Sequence, residues 1–234
     1  MEAEAKIQEE AEEKGSEKPK QTGKARVTRP PHNYVAIVKD SVVPIQIFPL
    51  DKLCDQLYDG VVLHKEKRES LSRKYWVDKS LNKNCFLLFA REFEIAWGRE
   101  PRYWEWKPLK ESGNVDVEVA ELRGVSWLDI SGKFRTIILS PNTRYEVSLV
   151  ALMTESSQGW GAPVNIDITF PDKTSSGRLE SFQHIPQEKW TNILMGEFTT
   201  LSENIGEIAF HIYEHSPNCK QGLVVKGVAF QPKN

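Results

Sequence analysis

From Tyr34 onward the chain alternates short apolar runs with turn residues, and the runs are rich in Val, Ile, Phe and Tyr. These residue types favour strands, and the spacing of the runs is typical of an all-β domain. In one run Val115, Val117 and Val119 occupy every second position, so one face of that strand points inward. The pattern predicts strands over residues 35–38, 75–77, 85–89, 94–97, 103–107, 115–122, 126–131, 145–153, 164–170, 190–198, 206–215 and 223–230.

Only one segment has helical spacing. Leu50, Leu53, Cys54 and Leu57 recur at intervals of three and four residues, which predicts a short helix over residues 50–58. A single helix beside this many strands indicates a β-sandwich.

The first 32 residues have a different composition. They carry seven acidic and seven basic side chains and no aromatic residue, and Ile7 and Val27 are their only large aliphatic residues. Such a segment buries too little apolar surface to offset the entropy of ordering. We therefore expect a disordered, charged tail over residues 1–32, a second segment over 33–84, and the main domain over 85–234.

Charge and hydropathy narrow the function classes. The formal net charge of −2 provides no overall field that would attract a phosphate backbone. No apolar run approaches the roughly 18 residues of a membrane-spanning helix, and the first 25 residues lack the apolar centre of a secretory signal. Cys54, Cys85 and Cys219 are widely spaced and lack the histidine spacing of a zinc site, so the sequence predicts a reduced chain without a metal site or a cofactor. Their odd number leaves an intermolecular disulfide open in an oxidising compartment.

Aromatic residues are concentrated in residues 91–106, which contain Trp97, Tyr103, Trp104 and Trp106. Flat aromatic rings at a surface can stack against the apolar face of a sugar or a nucleobase, since stacking needs area and little conformational entropy. The cluster therefore indicates binding rather than catalysis. By contrast, we expect Trp127 to lie in the core, because its strand is apolar.

Several sequence blocks, in order, resemble the plant phloem protein 2 family, whose lectin domain is shared with the tobacco agglutinin. They span about residues 75 to 234. Two further blocks, at 31–34 and 75–78, resemble the phloem protein 2 branch itself. The remaining blocks are residues 84–92, 95–97, 101–106, 119–122, 127–133, 139–143, 196–198, 206–208 and 220–227.

The resemblance implies a jelly-roll-like antiparallel β-sandwich in which residues 33–84 form an extension packed on the lectin domain. It also implies a lectin that binds N-acetylglucosamine oligomers and N-glycans, including those of glycoproteins, without hydrolysing them. The implied locations are the cytoplasm, the nucleus, and the sieve elements and companion cells of the phloem. Phloem filament proteins, RNA and a second copy of the chain are further candidate partners.

The resemblance also implies a set of site residues. Two family tryptophans seven positions apart are implicated in sugar binding, and Trp97 and Trp104 stand at the matching places. A glutamate in the Gly-Glu-Phe block matches Glu197. The second family carboxylate, seven positions later, falls on Asn204, with Glu203 one position short.

Two alternatives to a lectin remain open from the sequence. In a glycosidase, Glu197 would act with Glu203 or Glu207 as the carboxylate pair. In a structural or RNA-transport protein, sugar binding would be secondary and phosphate would contact basic residues. The candidate basic residues are Lys65, Lys67, Arg68, Arg73 and Lys74.

Overall fold

The computed structural model describes residues 31–64 and 71–234. Two antiparallel sheets pack face to face, which confirms the prediction of an all-β antiparallel sandwich. Most of the predicted tail and the basic residues Lys65, Lys67 and Arg68 lie outside the described residues.

The described part of the chain contains two α-helices and thirteen strands. The helices are α1 (Tyr34–Val38) and α2 (Leu50–Asp59). The strands are β1 (Val61–His64), β2 (Leu71–Asp78), β3 (Lys83–Phe89), β4 (Glu94–Ile95), β5 (Trp104–Glu111), β6 (Val115–Leu122), β7 (Leu128–Arg135), β8 (Thr143–Gln158), β9 (Val164–Thr169), β10 (Ser175–Glu180), β11 (Thr191–Thr200), β12 (Glu207–Glu214) and β13 (Gln221–Pro232).

The longer strands β8 and β13 form the centre of the first sheet. One edge of β13 pairs with β8, which pairs in turn with β11. The other edge of β13 pairs with β3 along one part and with β6 along another, and β5 follows β6. The second sheet has the order β10-β9-β12-β7-β4. As a result, β4 and β5 are both edge strands, one in each sheet.

The core fills the space between the sheets. Val164, Ile166 and Ile168 alternate with more exposed residues along β9, as a strand with one buried face requires. They belong to the same buried cluster as Tyr145 and Val147 of β8. Each fully buried aliphatic side chain contributes about 1.5 to 3 kcal/mol relative to exposure, so this face determines the register of the strand.

The elements differ from the prediction where strands lack an apolar signal or a partner. Residues 35–38, predicted as a strand, form the helix α1, whose backbone bonds are local and whose only buried residue is Ile37. Strand propensity is a weak preference that the structural context overrides there. The edge strand β10 is largely exposed and has no apolar alternation, so the sequence pattern did not predict it. The short strand β1 was not predicted either.

The predicted boundary at residue 84 falls within one sheet. Strands β2 and β3 pair across it, with Tyr75 opposite Phe86. The division into an extension and a lectin domain stays a prediction.

Neither helix in residues 31–64 and 71–234 has the length and apolar content that crossing a bilayer requires.

Candidate functional site

The aromatic cluster lies in the connection between the two edge strands β4 and β5. We call residues 96–103 the Trp97 loop. The loop begins where the backbone N–H of Ala96 donates to the carbonyl of Asp129, 3.0 Å away, just beyond the β4–β7 pairing. It ends with two bonds to the carbonyl of Glu100, from the N–H groups of Tyr103 and Trp104. The loop therefore closes one edge of the sandwich.

Trp97 presents its indole to solvent, with 47% of the residue exposed. Its ring packs against Tyr103, with the ring centroids 5.6 Å apart. Its backbone φ is 56°, in the left-handed region that a bulky residue seldom adopts. That conformation costs about 1 to 2 kcal/mol, so the surrounding contacts have to impose it.

Two indole N–H groups hold the backbone on both sides of Trp97. Trp104 donates from Nε1 to the carbonyl of Ala96 at 3.1 Å, and Trp106 donates from Nε1 to the carbonyl of Gly98 at 2.8 Å. Period-two alternation along β5 sends both side chains inward beneath the loop. These bonds explain how the strained conformation at Trp97 is maintained.

The second tryptophan of the predicted pair is therefore not at the surface. Trp104 is only 2% exposed and belongs to the main core. The Trp106 ring is partly buried, and the guanidinium of Arg91 covers it at 3.6 Å from the ring centroid. Of the two tryptophans that the resemblance implies, Trp97 is exposed and Trp104 lies buried beneath it. A role of either residue in sugar binding stays a prediction.

Trp127 was expected in the core, and that expectation is wrong, because 49% of the residue is exposed. The strand β7 begins one residue later, at Leu128. With Leu128 and Ile130 buried, period-two alternation places Trp127 on the outer face beside Asp129. The alternation in the sequence indicates an outward side chain at Trp127, but the apolar character of the segment led to the prediction of burial.

His215, Tyr213 and His211 continue from Trp127 as a column of rings on the outer face of the second sheet. The Trp127 and His215 rings are stacked at 3.6 Å between centroids and 10° between planes. His215 to Tyr213 is 5.3 Å, and Tyr213 to His211 is 4.5 Å. Nε2 of each histidine lies within hydrogen-bond distance of a different Asp129 oxygen, at 3.0 and 3.1 Å.

A buried lysine joins the two segments that carry Trp127 and His215. Lys220 is 1% exposed, and its Nζ donates to the carbonyls of Ser126 and Asn218 at 2.7 Å each and pairs with the Glu214 carboxylate. Burial raises the pKa of Glu214, but hydrogen bonds from Lys220 and Ser216 outweigh it, and the pKa lies below its ordinary value. The Glu214 carboxylate therefore stays ionised at neutral pH.

Glu197 lies on the edge strand β11 and is occupied by two cations. One of its carboxylate oxygens accepts from Arg144 and the other pairs with Lys233. The hydrogen bonds from Lys233 and then Arg144 lower the pKa of Glu197. Both oxygens are thus already engaged in the structure.

Asn204 and Glu203 belong to the short 3₁₀ turn that follows β11. Asn204 accepts from the N–H of Leu201 at 2.6 Å and donates to the carbonyl of Thr199 at 2.8 Å, so its amide holds the turn closed. Glu203 is exposed and accepts from the Ser202 hydroxyl at 3.0 Å. These contacts give both residues a local structural role.

The five residues implied by the resemblance fall into two groups far apart. The strand β5, with Trp104, is separated from β11, with Glu197, by β6, β13 and β8, which is about 19 Å of strand spacing. Followed strand by strand, the pairing registers place Trp104 level with Met153 of β8, and Glu197 pairs directly with Glu146 of β8. Met153 and Glu146 are about 23 Å apart along β8. The combined separation is about 30 Å, so the structure does not bring Trp97 and Glu197 into one pocket.

Trp160 lines a cavity of about 480 Å³ near the C-terminal end of β8. Its indole is buried against Phe182, with centroids 5.4 Å apart, and its Nε1 donates to the carbonyl of Gln221 at 2.9 Å. The ring therefore packs a loop in place.

The exposed indoles of Trp97 and Trp127 both lie on rigidly held segments. Such a ring can cover the apolar face of a ring-shaped ligand without first losing much conformational freedom. This arrangement supports ligand binding, and the acidic residues of the opposite end are engaged in ion pairs and turn contacts.

Comparison with known proteins agrees with the sequence blocks. The family model described as Phloem protein 2 matches residues 83–232. The relative named Protein PHLOEM PROTEIN 2-LIKE A1, from Arabidopsis thaliana, is 39% identical over 213 residues, covering 90% of this chain and 84% of the relative. A protein named Lectin, from Luffa acutangula, is 39% identical over 204 residues, covering 86% and 94%.

Among solved structures, the CBM22-1 xylan-binding domain of Paenibacillus barcinonensis Xyn10C matches at a TM-score of 0.35 and 9% identity, covering 62% of this chain and 87% of that chain. A score this low carries no conclusion about the protein. The family model and the sequence relatives together cover most of the chain. On that basis the chain belongs to the phloem protein 2 family.

Proposed function

We propose that the protein is a lectin that binds carbohydrate without catalysis, with Trp97 as the principal stacking residue. The proposed ligands are N-acetylglucosamine oligomers and N-glycans, including those on glycoproteins. Two findings support the proposal: a relative of 39% identity is named Lectin, and the family blocks that carry the resemblance include Trp97.

The observation that carries the proposal is the held, exposed indole of Trp97. Its backbone is strained, and the carbonyls on either side of it accept bonds from Trp104 and Trp106. Strain that is maintained by its surroundings is characteristic of functional positions. A preorganised ring loses little entropy when a sugar stacks on it, so more of the contact energy appears as affinity.

Hydrolysis is a poorer explanation of the acidic residues. A general acid needs a raised pKa, whereas the cations beside Glu197 lower its pKa. Glu207 is on the surface and pairs with Lys133 at 3.1 Å. We therefore propose binding alone.

A shallow site with one stacking ring gives weak affinity per site, and several copies on one glycoprotein or assembly would raise it through multivalency. The proposed setting is the cytoplasm and nucleus of phloem cells. Phloem filament proteins, RNA and a second copy of the chain are proposed as further partners.

Calorimetric titration of the purified chain with the N-acetylglucosamine trimer tests the proposal. We expect measurable binding by the wild type and about a tenfold or greater loss in Trp97→Ala, since stacking on one ring contributes about 1 to 3 kcal/mol. Ile137→Ala is the matched control, because Ile137 is 57% exposed and lies at the opposite end of β7 from the Trp97 loop.

A further variant, Glu197→Gln, separates the two ends of the sandwich. We expect it to bind the trimer as the wild type does. Loss of binding in Glu197→Gln but not in Trp97→Ala would place the sugar at the other end. The absence of binding by the wild type at millimolar trimer would refute the proposed ligand.

A further inference from the structure

Trp127 lies on the strand adjacent to the Trp97 loop. The β4–β7 pairing sets Ile95 opposite Ile130, and the N–H of Ala96 then bonds the carbonyl of Asp129. Neighbouring strands are about 5 Å apart, so the segments that carry Trp97 and Trp127 leave the sheet side by side. The two exposed indoles, at 47% and 49% exposure, are therefore carried by neighbouring segments at this end of the fold.

The Trp127 ring forms one end of the ring column. His215 covers one of its faces at 3.6 Å and 10°, so the exposed area belongs to its other face and its edge. Behind His215, Tyr213 and His211 complete the column, and Asp129 holds both histidines. The Trp127 ring is therefore supported on the side away from solvent.

The segment that carries Trp127 is also held from below. The backbones of Val125 and Lys220 exchange two hydrogen bonds, of 3.0 and 2.7 Å, and the buried Nζ of Lys220 bonds the carbonyl of Ser126. The Ser126 hydroxyl donates to the carbonyl of Pro217 at 3.1 Å. An exposed tryptophan on a segment with this many anchors is preorganised in the same sense as Trp97.

The groups around the Trp127 ring include polar partners that a saccharide could use. Asp129 lies beneath the column, and the charge of Asp167 raises the pKa of the Tyr213 hydroxyl beside it. A saccharide is uncharged, has an apolar face for the indole, and has hydroxyls that carboxylate and imidazole groups can bond.

We propose that Trp127 forms a second saccharide-stacking subsite, which binds a further sugar unit of the same chain that stacks on Trp97. The inference rests on the proposed lectin function and adds to it. It identifies the ligand as an extended oligosaccharide rather than a single sugar, and it assigns to Trp127 the stacking role that the buried Trp104 does not fill.

The experiment is a calorimetric titration with N-acetylglucosamine oligomers from the dimer to the hexamer. In the wild type, affinity should rise with oligomer length until both rings are covered. In Trp127→Ala the affinity for the hexamer should fall about tenfold, while that for the dimer should change less than about twofold. Trp127→Phe should restore part of the loss, and Ile137→Ala should behave as the wild type.

The outcomes separate the two proposals. If the wild type binds no oligomer, the lectin proposal and this inference both fail. If the wild type and Trp127→Ala have the same length dependence while Trp97→Ala loses binding, the lectin proposal stands and the second subsite is refuted. A uniform loss for the dimer and the hexamer in Trp127→Ala, with an unchanged far-UV spectrum, would mean one shared site and would also refute a separate subsite.

Discussion

Replacing Trp104 by alanine tests whether this residue supports the Trp97 loop or contacts a ligand itself. The structure places its side chain in the core at 2% exposure, with the indole N–H bonded to the carbonyl of Ala96 at 3.1 Å. In contrast, Trp97 is about half exposed, and its ring packs against the ring of Tyr103. Truncating the two residues should therefore affect stability very differently.

The expected loss for Trp104→Ala combines two contributions. Removing a buried tryptophan leaves a cavity and costs about 3 to 5 kcal/mol of unfolding free energy. Losing the bond to the Ala96 carbonyl adds about 1 kcal/mol. For Trp97→Ala we expect about 1 kcal/mol or less, since the side chain is largely solvated and alanine retains the same backbone strain.

Urea unfolding followed by far-UV circular dichroism measures both values and does not depend on tryptophan emission. Trp104→Phe, which keeps most of the apolar volume and removes the indole N–H, should lose less stability than the alanine variant. If the unfolding free energy of Trp104→Ala were within about 1 kcal/mol of the wild-type value and the variant bound sugar poorly, the supporting role of Trp104 would be refuted. Truncating a buried tryptophan lowers the unfolding free energy by more than that.

Three further changes test other parts of the structure. Lys220→Met leaves Glu214 as an unpaired buried charge and should lower the unfolding free energy by about 3 to 5 kcal/mol in urea unfolding. The control Lys133→Met, at an exposed ion pair, should lower it by about 1 kcal/mol or less. Equal losses in the two variants would contradict the buried pair. Asn204→Ala removes two turn-closing bonds and should lower the melting temperature by a few degrees without changing sugar affinity, and a selective loss of affinity would show a direct contact instead. Glu111, at the end of β5, pairs with Lys74 and Lys226. Burial raises the pKa of Glu111 and Glu214, but hydrogen bonds, chiefly from these lysines and from Lys220, outweigh it and hold both pKa values below the ordinary 4.5. The stabilisation from these carboxylates is therefore present above pH 4.5 and is lost as the pH falls through the lower folded values; urea unfolding from pH 7 to pH 3 should show this fall, and a flat profile would contradict it.

Much of the fold was predictable because local pattern and global packing agree. Strands such as β9, with Val164, Ile166 and Ile168 at every second position, are visible in the sequence and need only a partner sheet. The helix α2 was predicted to within one residue of its end, because its apolar spacing is helical. Edge strands such as β10 were missed, since pairing with a single neighbour requires no apolar pattern.

The candidate site was less predictable, because exposure depends on which face of a strand meets the other sheet. Trp97 and Trp104 look equivalent in the sequence, seven positions apart in one aromatic cluster. Trp97 lies in a turn with a left-handed backbone conformation, and Trp104 begins a strand with its side chain inward. Trp127 shows the opposite error, since an apolar neighbourhood suggested burial while strand alternation turned the ring outward.

By itself the sequence determined the class of fold, the absence of a strong overall charge, and the aromatic segment that identifies the family, because these depend on local composition and on periodicity. Only the tertiary structure decided which residues meet. It set Glu197 about 30 Å from Trp104, buried Trp104 beneath the Trp97 loop, and brought the segment of Trp127 beside that loop. The physical reason is that strand order and register join residues distant in the chain, and no local pattern encodes those pairings.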